Sequence, residues 1–157
     1  MDRRVAIIIG FGIILAVAVI AIVAGRGGSG GGSKPSFTKP TVQVPSGPPP
    51  TKLVSTDIKV GSGKPAASGD AVSVQYVGVD YSTKQEFDSS YDRNQPFNFT
   101  LGQGMVIPCW DQGLVGMKPG GERQLVVPPA LAYGAQGQPP KIGPNATLVF
   151  DIQLISD

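Results

Sequence analysis

Apolar and polar residues alternate in several stretches of the second half of the chain. Val72, Val74 and Tyr76 alternate with Ser73 and Gln75, and Phe97, Phe99 and Leu101 with Asn98 and Thr100. The longest such face is Leu148, Phe150, Ile152 and Leu154, with Thr147, Asp151 and Gln153 opposite. A period of two marks a half-buried strand, because successive side chains leave opposite faces of a sheet. Arg123 to Val127, ended by Pro128-Pro129, reads as another strand and Lys52 to Val60 as a weaker one.

One stretch follows a different period. Ile107, Trp110, Leu114 and Met117 are spaced three, four and three apart, which lines them up on one face of a short helix. Pro108 suits the first helical turn, where its missing N–H is no loss, and Pro119-Gly120-Gly121 stops the helix. The pattern predicts an α+β domain over residues 51–157, a sheet of about five strands packed on one helix. Taken alone, Trp110 reads as core. Two long stretches, Lys84 to Pro96 and Tyr133 to Pro144, read as irregular loops, the usual seat of function on a rigid sheet.

The N-terminal third has another character. Val5 to Ala24 carries no charged residue. As a helix it spans about 30 Å at 1.5 Å per residue, enough to cross a bilayer core. It predicts an uncleaved transmembrane anchor over 5–24, since the apolar part of a signal peptide is shorter. The short basic end 1–4, with Arg3 and Arg4, is expected in the cytoplasm and the folded domain outside it. Residues 25–50 are Gly/Ser-rich, then Pro-rich, and predict a linker. Gly25-Arg26-Gly27-Gly28-Ser29-Gly30 fits a dinucleotide-binding pattern in letters only, because no strand precedes it and no helix follows.

Composition removes several chemistries. The chain has no His, one Cys, 22 Gly and 15 Pro. Without His there is no Ser-His-Asp or Cys-His nucleophile system and no His-ligated metal. One Cys allows no internal disulfide. The basic residues of the first fifty, Arg3, Arg4, Arg26, Lys34 and Lys39, face a single acid, so the remainder is net acidic. Nucleic-acid binding is therefore disfavoured. Asn98-Phe99-Thr100 and Asn145-Ala146-Thr147 match a glycosylation sequon, but both fall at or in predicted strands and are read as chance.

Four separated motifs then stand in register. They are Glu86-Phe87-Asp88-Ser89-Ser90-Tyr91-Asp92-Arg93, Val106-Ile107-Pro108-Cys109-Trp110, Leu131-Ala132-Tyr133-Gly134, and Asn145-Ala146-Thr147-Leu148-Val149-Phe150-Asp151. In order and spacing, residues 51–157 resemble the FKBP-type peptidyl-prolyl cis-trans isomerases. The resemblance implies a five-stranded antiparallel sheet wrapped around one short helix, here preceded by the predicted membrane helix. It implies isomerisation of X-Pro bonds, chaperone activity, and binding of macrolides such as rapamycin, with no metal or organic cofactor. The expected partners are proline-containing peptides and unfolded exported proteins, and a bacterial host is expected from the anchor and tether.

Carried over by position, the resemblance assigns catalytic roles to Tyr76, Asp88, Trp110, Tyr133 and Phe150. It assigns substrate binding to Phe87, Arg93, Phe97, Val106, Ile107 and Ile142. Trp110 would floor a proline pocket with Tyr76, Phe97 and Phe150 as walls, and Asp88 and Arg93 would stand beside it. The Ile107 N–H and the Tyr133 hydroxyl would meet substrate carbonyls. The chain departs from the family pattern at Met105, where many members have an acid, at Cys109, where a Gly is usual, and at Gln138 and Lys141 on the loop over the pocket. The rival reading is an FKBP-like module that holds proline-containing partners and turns over poorly.

Overall fold

Six strands form one antiparallel sheet in the computed structural model, which describes residues 38–156. They are β1 (Val54–Lys59), β2 (Ala71–Asp80), β3 (Glu86–Ser89), β4 (Phe97–Thr100), β5 (Glu122–Val127) and β6 (Leu148–Ser156). The order is β1-β5-β6-β2-β3, and β4 also pairs with β2. β4 lies along Ala71 to Val74 and β3 along Val77 to Val79, so the two are successive pieces of one row. Six strands thus make the five rows expected. The addition is β3, which falls in the stretch read as a loop. Its one large apolar residue, Phe87, is too little for a periodic signal, and pairing with β2 makes it a strand.

The helix α1 runs only from Pro108 to Gly113, shorter than the Ile107 to Met117 pattern predicts. Six residues cannot hold a helix by themselves. Here the ends are held from outside. The Asp111 carboxylate accepts the Gly102 and Gly104 N–H groups at 2.7 and 3.0 Å. At the other end Arg123 Nη1 donates to the Gly113 and Val115 carbonyls at 2.8 and 3.0 Å, while its Nε meets Asp57 at 2.7 Å. These carbonyls would otherwise be orphaned at the helix terminus. Gly113 lets β5 approach, since a Cβ there would lie 2.7 Å from the Leu125 side chain. Ile107, Trp110, Leu114 and Met117 are all buried, as their spacing predicts, although the last two lie beyond the helix.

The sheet is covered on both faces. Val72, Val74 and Tyr76 of β2, Leu125 and Val127 of β5, and Leu148, Phe150, Ile152 and Leu154 of β6 point inward with Trp110. The opposite face carries its own cluster of Val77, Val79, Tyr81, Val126 and Val149, packed by Val42, Val44 and Tyr91. Residues 38–50 therefore do not behave as linker. They lie on the outer face, where Gln124 Nε2 donates to the Gln43 carbonyl at 3.0 Å and the Tyr81 hydroxyl to the Gly47 carbonyl at 3.1 Å. Two valines in a Pro-rich context gave no pattern to read. Their partners, Val77 to Tyr81, break the one-sided alternation because both faces are buried.

The predicted end 1–4, anchor 5–24 and the linker part 25–37 lie outside the described residues. Among the described residues no helix is long and apolar enough to cross a membrane.

Asp151 is 2 % exposed on the outer face, where its carboxylate accepts from Gln124 Nε2 at 3.1 Å. Burial pushes it up to about 6, with Glu122 adding to the rise and the Gln124 bond opposing it. A folded pKa above the unfolded one means the native state holds the proton more tightly. The resulting stability is complete below about pH 4 and is lost as pH rises through about 6. Asp151→Asn should therefore melt higher than wild type at pH 8, by on the order of 1–3 kcal/mol, with the gap closing near pH 4. Urea titrations at pH 4, 6 and 8 measure this, and equal offsets at all three would refute it.

Gly78 faces inward between Tyr76 and Asp80, and a Cβ there would sit 2.5 Å from Phe87 and 2.9 Å from Phe150. Gly78→Ala should lower stability by about 1–3 kcal/mol through overpacking. Thermal unfolding at neutral pH is the check, and an unchanged midpoint would contradict it.

Candidate active site

Trp110 is the centre of a ring cluster. Tyr76 of β2 stands edge-on to it at 4.9 Å between centroids, Phe150 of β6 at 5.5 Å and Phe97 of β4 at 5.7 Å, with Phe99 tilted at 5.7 Å. Phe87 of β3 meets Phe150 edge-on at 5.6 Å. Edge-to-face contact sets the positive rim of one ring against the negative face of another, which adds to what burial supplies. Each ring comes from an inward position of a strand, so the curl of the sheet gathers them around α1.

One side of the cluster ends in charge. The Tyr76 hydroxyl donates to Asp88 Oδ2 and accepts from Arg93 Nη2 at 2.8 Å. Arg93 Nη1 meets Asp88 Oδ1 at 2.5 Å, and the same oxygen takes the Ser89 N–H at 2.9 Å. Side chains of Asp88 and Arg93 are 13 % and 28 % exposed, so this is a sheltered triangle rather than a free surface ion pair. The Arg93 guanidinium also lies 5.6 Å from the Tyr76 ring centre. Burial, and then the Asp88 carboxylate, push the Tyr76 phenol up, so it stays a protonated donor at neutral pH. The buried Ser90 hydroxyl accepts the Tyr76 N–H at 2.8 Å and fixes β2 to the turn that carries Arg93.

The other side is built by loops. Val106 and Ile107 lead into α1 and are buried. The Ile107 N–H, ahead of the first helical turn, meets no backbone acceptor among the described residues. Ile142 is buried and pairs with Gln138 through two backbone bonds of 2.8 and 3.0 Å. Tyr133 packs against the same cluster, and burial, with smaller contributions from Cys109 and Asp88, pushes its phenol up. Four buried groups have no hydrogen-bond partner in the structure: Trp110 Nε1 and the Tyr133 hydroxyl on this side, and Arg93 Nε and the Ser89 hydroxyl on the charged side. An unpaired buried donor costs about 1–3 kcal/mol, and sites that bind ligands commonly carry such groups.

All eleven residues singled out in the sequence fall in this region. Tyr76, Phe87, Phe97, Val106, Ile107, Trp110, Ile142 and Phe150 share one cluster with Tyr133 against it, and Asp88 and Arg93 join through Tyr76. Phe99 and Ser90 belong with them, although the resemblance assigns neither a role. The alternation that put Phe97 inward put Phe99 there as well, so that signal was available. Ser90 stands inside the first motif, but nothing local marks its hydroxyl as the acceptor of the Tyr76 N–H. Lys141 lies at the rim of an open pocket of about 410 Å³ with Glu86, Asp88, Asp92 and Arg93, and Met105 is 41 % exposed. Cys109 is fully buried and burial pushes its thiol well up, which makes it inert packing. Among the described residues no cluster of three or more His, Cys, Asp or Glu could hold a metal ion.

Residues 62–155 match the model of the FKBP-type peptidyl-prolyl cis-trans isomerase family. The chain is 49 % identical over 122 residues to an FK506-binding protein of Streptomyces anulatus, covering 77 % of this chain and 98 % of that one. It is 49 % identical over 118 residues to a probable FK506-binding protein of Corynebacterium glutamicum, covering 75 % and 98 %. A match of 122 residues in a chain of 157 necessarily takes in residues 38–50, which the family model leaves out. The crystal structure of AtFKBP13 superposes with a TM-score of 0.63 at 39 % identity, covering 69 % of this chain and 95 % of that one. By sequence and by fold, the chain belongs to the FKBP-type peptidyl-prolyl cis-trans isomerases, a family of enzymes.

Proposed function

We propose that the ring cluster is the site where this chain turns X-Pro bonds of exported proteins. The observation that carries this reading is the pair of unpartnered donors, Trp110 Nε1 and Tyr133 Oη, set in an aromatic cup on whose polar side the Tyr76 hydroxyl is already bonded to both Asp88 and Arg93. Proline's ring fits such a cup, and Trp110, Tyr76, Phe97 and Phe150 surround it. The Tyr133 hydroxyl and the Ile107 N–H take the carbonyls on either side. Asp88 and Arg93 do not need to reach the substrate, since they hold the Tyr76 hydroxyl and with it the ring wall.

Turning the amide opposes resonance, with a barrier of about 18–20 kcal/mol. A twisted amide is less charge-separated than a planar one. A site that offers rings rather than water favours the twisted form, and this difference in binding lowers the barrier. No proton leaves carbon and no covalent intermediate is required, so the lack of His is no handicap. The same cup is the place for macrolides of the rapamycin and FK506 type, a reading that the names of the relatives support.

Residues 5–24 are, in this reading, a single-pass anchor with the domain outside the cytoplasm. Support comes from the uncharged run Val5 to Ala24 and the basic end before it. The tether shortens to 25–37, because 38–50 pack on the sheet.

Tyr133→Phe separates chemistry from stability. It removes an unpaired buried hydroxyl, so the melting temperature should hold or rise, while kcat/KM on an X-Pro-Phe peptide should fall about two- to tenfold. Asp88→Ala should also lower kcat/KM. Trp110→Ala would open a core cavity costing about 3–5 kcal/mol and tests folding more than catalysis. The assay needs the full chain in detergent, because a cut at residue 51 strips the outer-face cover. Binding of the peptide without acceleration by wild type would leave only a holding module. Protease added to intact cells should digest the domain, and protection would overturn its placement outside.

A further inference from the structure

Residues 38–50 touch more than the back of the sheet. Lys39 Nζ lies 2.8 Å from Glu86 Oε1 and 2.8 Å from Asp92 Oδ1. Glu86 opens β3 two residues before Asp88, and Asp92 precedes Arg93 in the short turn Tyr91–Arg93. One ammonium thus bridges the two ends of the segment that supplies the Asp88–Arg93–Tyr76 triangle. Further along, Val42 and Val44 are packed on the outer cluster, and the Gln43 and Gly47 carbonyls accept from Gln124 and Tyr81.

The segment needs such a hold. β3 is four residues long, lies at the edge of the sheet and pairs only with β2, with a register shift between Gly78 and Val79. Nothing in the turn that follows is buried. Phe87, Ser89 and Ser90 are buried and Tyr91 packs on the outer cluster, so it is the two ends, Glu86 and Asp92, that stand exposed, and exposed ends open locally at low free energy. Movement of this segment would carry Asp88 and Arg93 away from the Tyr76 hydroxyl that they fix.

We propose that residues 38–50 are a strap that positions the active segment 86–93, with Lys39 as its clasp and a positioning residue for catalysis. This rests on the reading of the ring cluster as the isomerase site. The clasp is an exposed ion pair with side-chain exposures of 38 % for Lys39, 36 % for Glu86 and 61 % for Asp92. Such pairs contribute little to global stability and are screened by salt. Its effect should therefore show in local motion and turnover rather than in melting.

Lys39→Gln and Lys39→Arg in the full chain test it. Lys39→Gln should speed hydrogen exchange of amides in 86–93 and lower kcat/KM about two- to fivefold at low salt. The melting temperature should stay within about 2 °C, as expected for an exposed pair. Wild-type activity should approach that of Lys39→Gln as salt is raised, and Lys39→Arg should restore both readouts. Unchanged exchange in 86–93 would overturn the strap, and faster exchange with unchanged kcat/KM would overturn the positioning role. If wild type proved inactive, the isomerase reading would fall and exchange alone would decide the strap.

Discussion

Burial of Trp110 by rings from a curled sheet is the contact on which the rest of this structure depends. The helix that carries it is six residues long and would not form in isolation. It forms because Tyr76, Phe97, Phe99 and Phe150 close around the indole from three strands. The sheet in turn has a reason to curl, since a flat one would leave these rings exposed. Arg123 completes the arrangement from β5 by capping the helix end, which ties the position of the indole to the strand register.

That hydrophobic centre makes a polar margin necessary. Tyr76 brings a hydroxyl into the cluster, and a buried hydroxyl is costly to leave unbonded. Asp88 and Arg93 satisfy it, and their own charges are balanced within the triangle. Unpartnered donors lie on both sides, at the indole nitrogen and Tyr133 on the loop side and at Arg93 Nε and the Ser89 hydroxyl beside the triangle.

The outer face imposes a second constraint. Val77, Val79, Val126 and Val149 form an apolar layer that one side of an antiparallel sheet would otherwise expose to water. Residues 38–50 cover it, and in doing so they extend the folded unit beyond the part that matches the family model. Asp151 is buried in this cover and its burial raises its pKa, so the stability that it contributes changes between about pH 4 and 6.

The alternations at Val72–Tyr76, Phe97–Leu101 and Leu148–Leu154 determined their strands by themselves, since a one-residue slip would expose every apolar side chain. The spacing of Ile107, Trp110, Leu114 and Met117 determined which side chains turn inward. Phe87, Trp110 and Phe150 of the ring cluster were legible in motifs that stand in register, and Tyr76 and Phe97 through the positions that this register fixes, which no single motif would have allowed. What the chain could not announce locally was decided by contact. Glu86–Ser89 became a strand because β2 offered an edge, the helix end at Gly113 is held because Arg123 of β5 bonds its carbonyl, and residues 38–50 left the character of a linker because two valines met an apolar face. In each case the stabilising partner lies in another segment, and a periodic pattern records only what a segment does with its own neighbours.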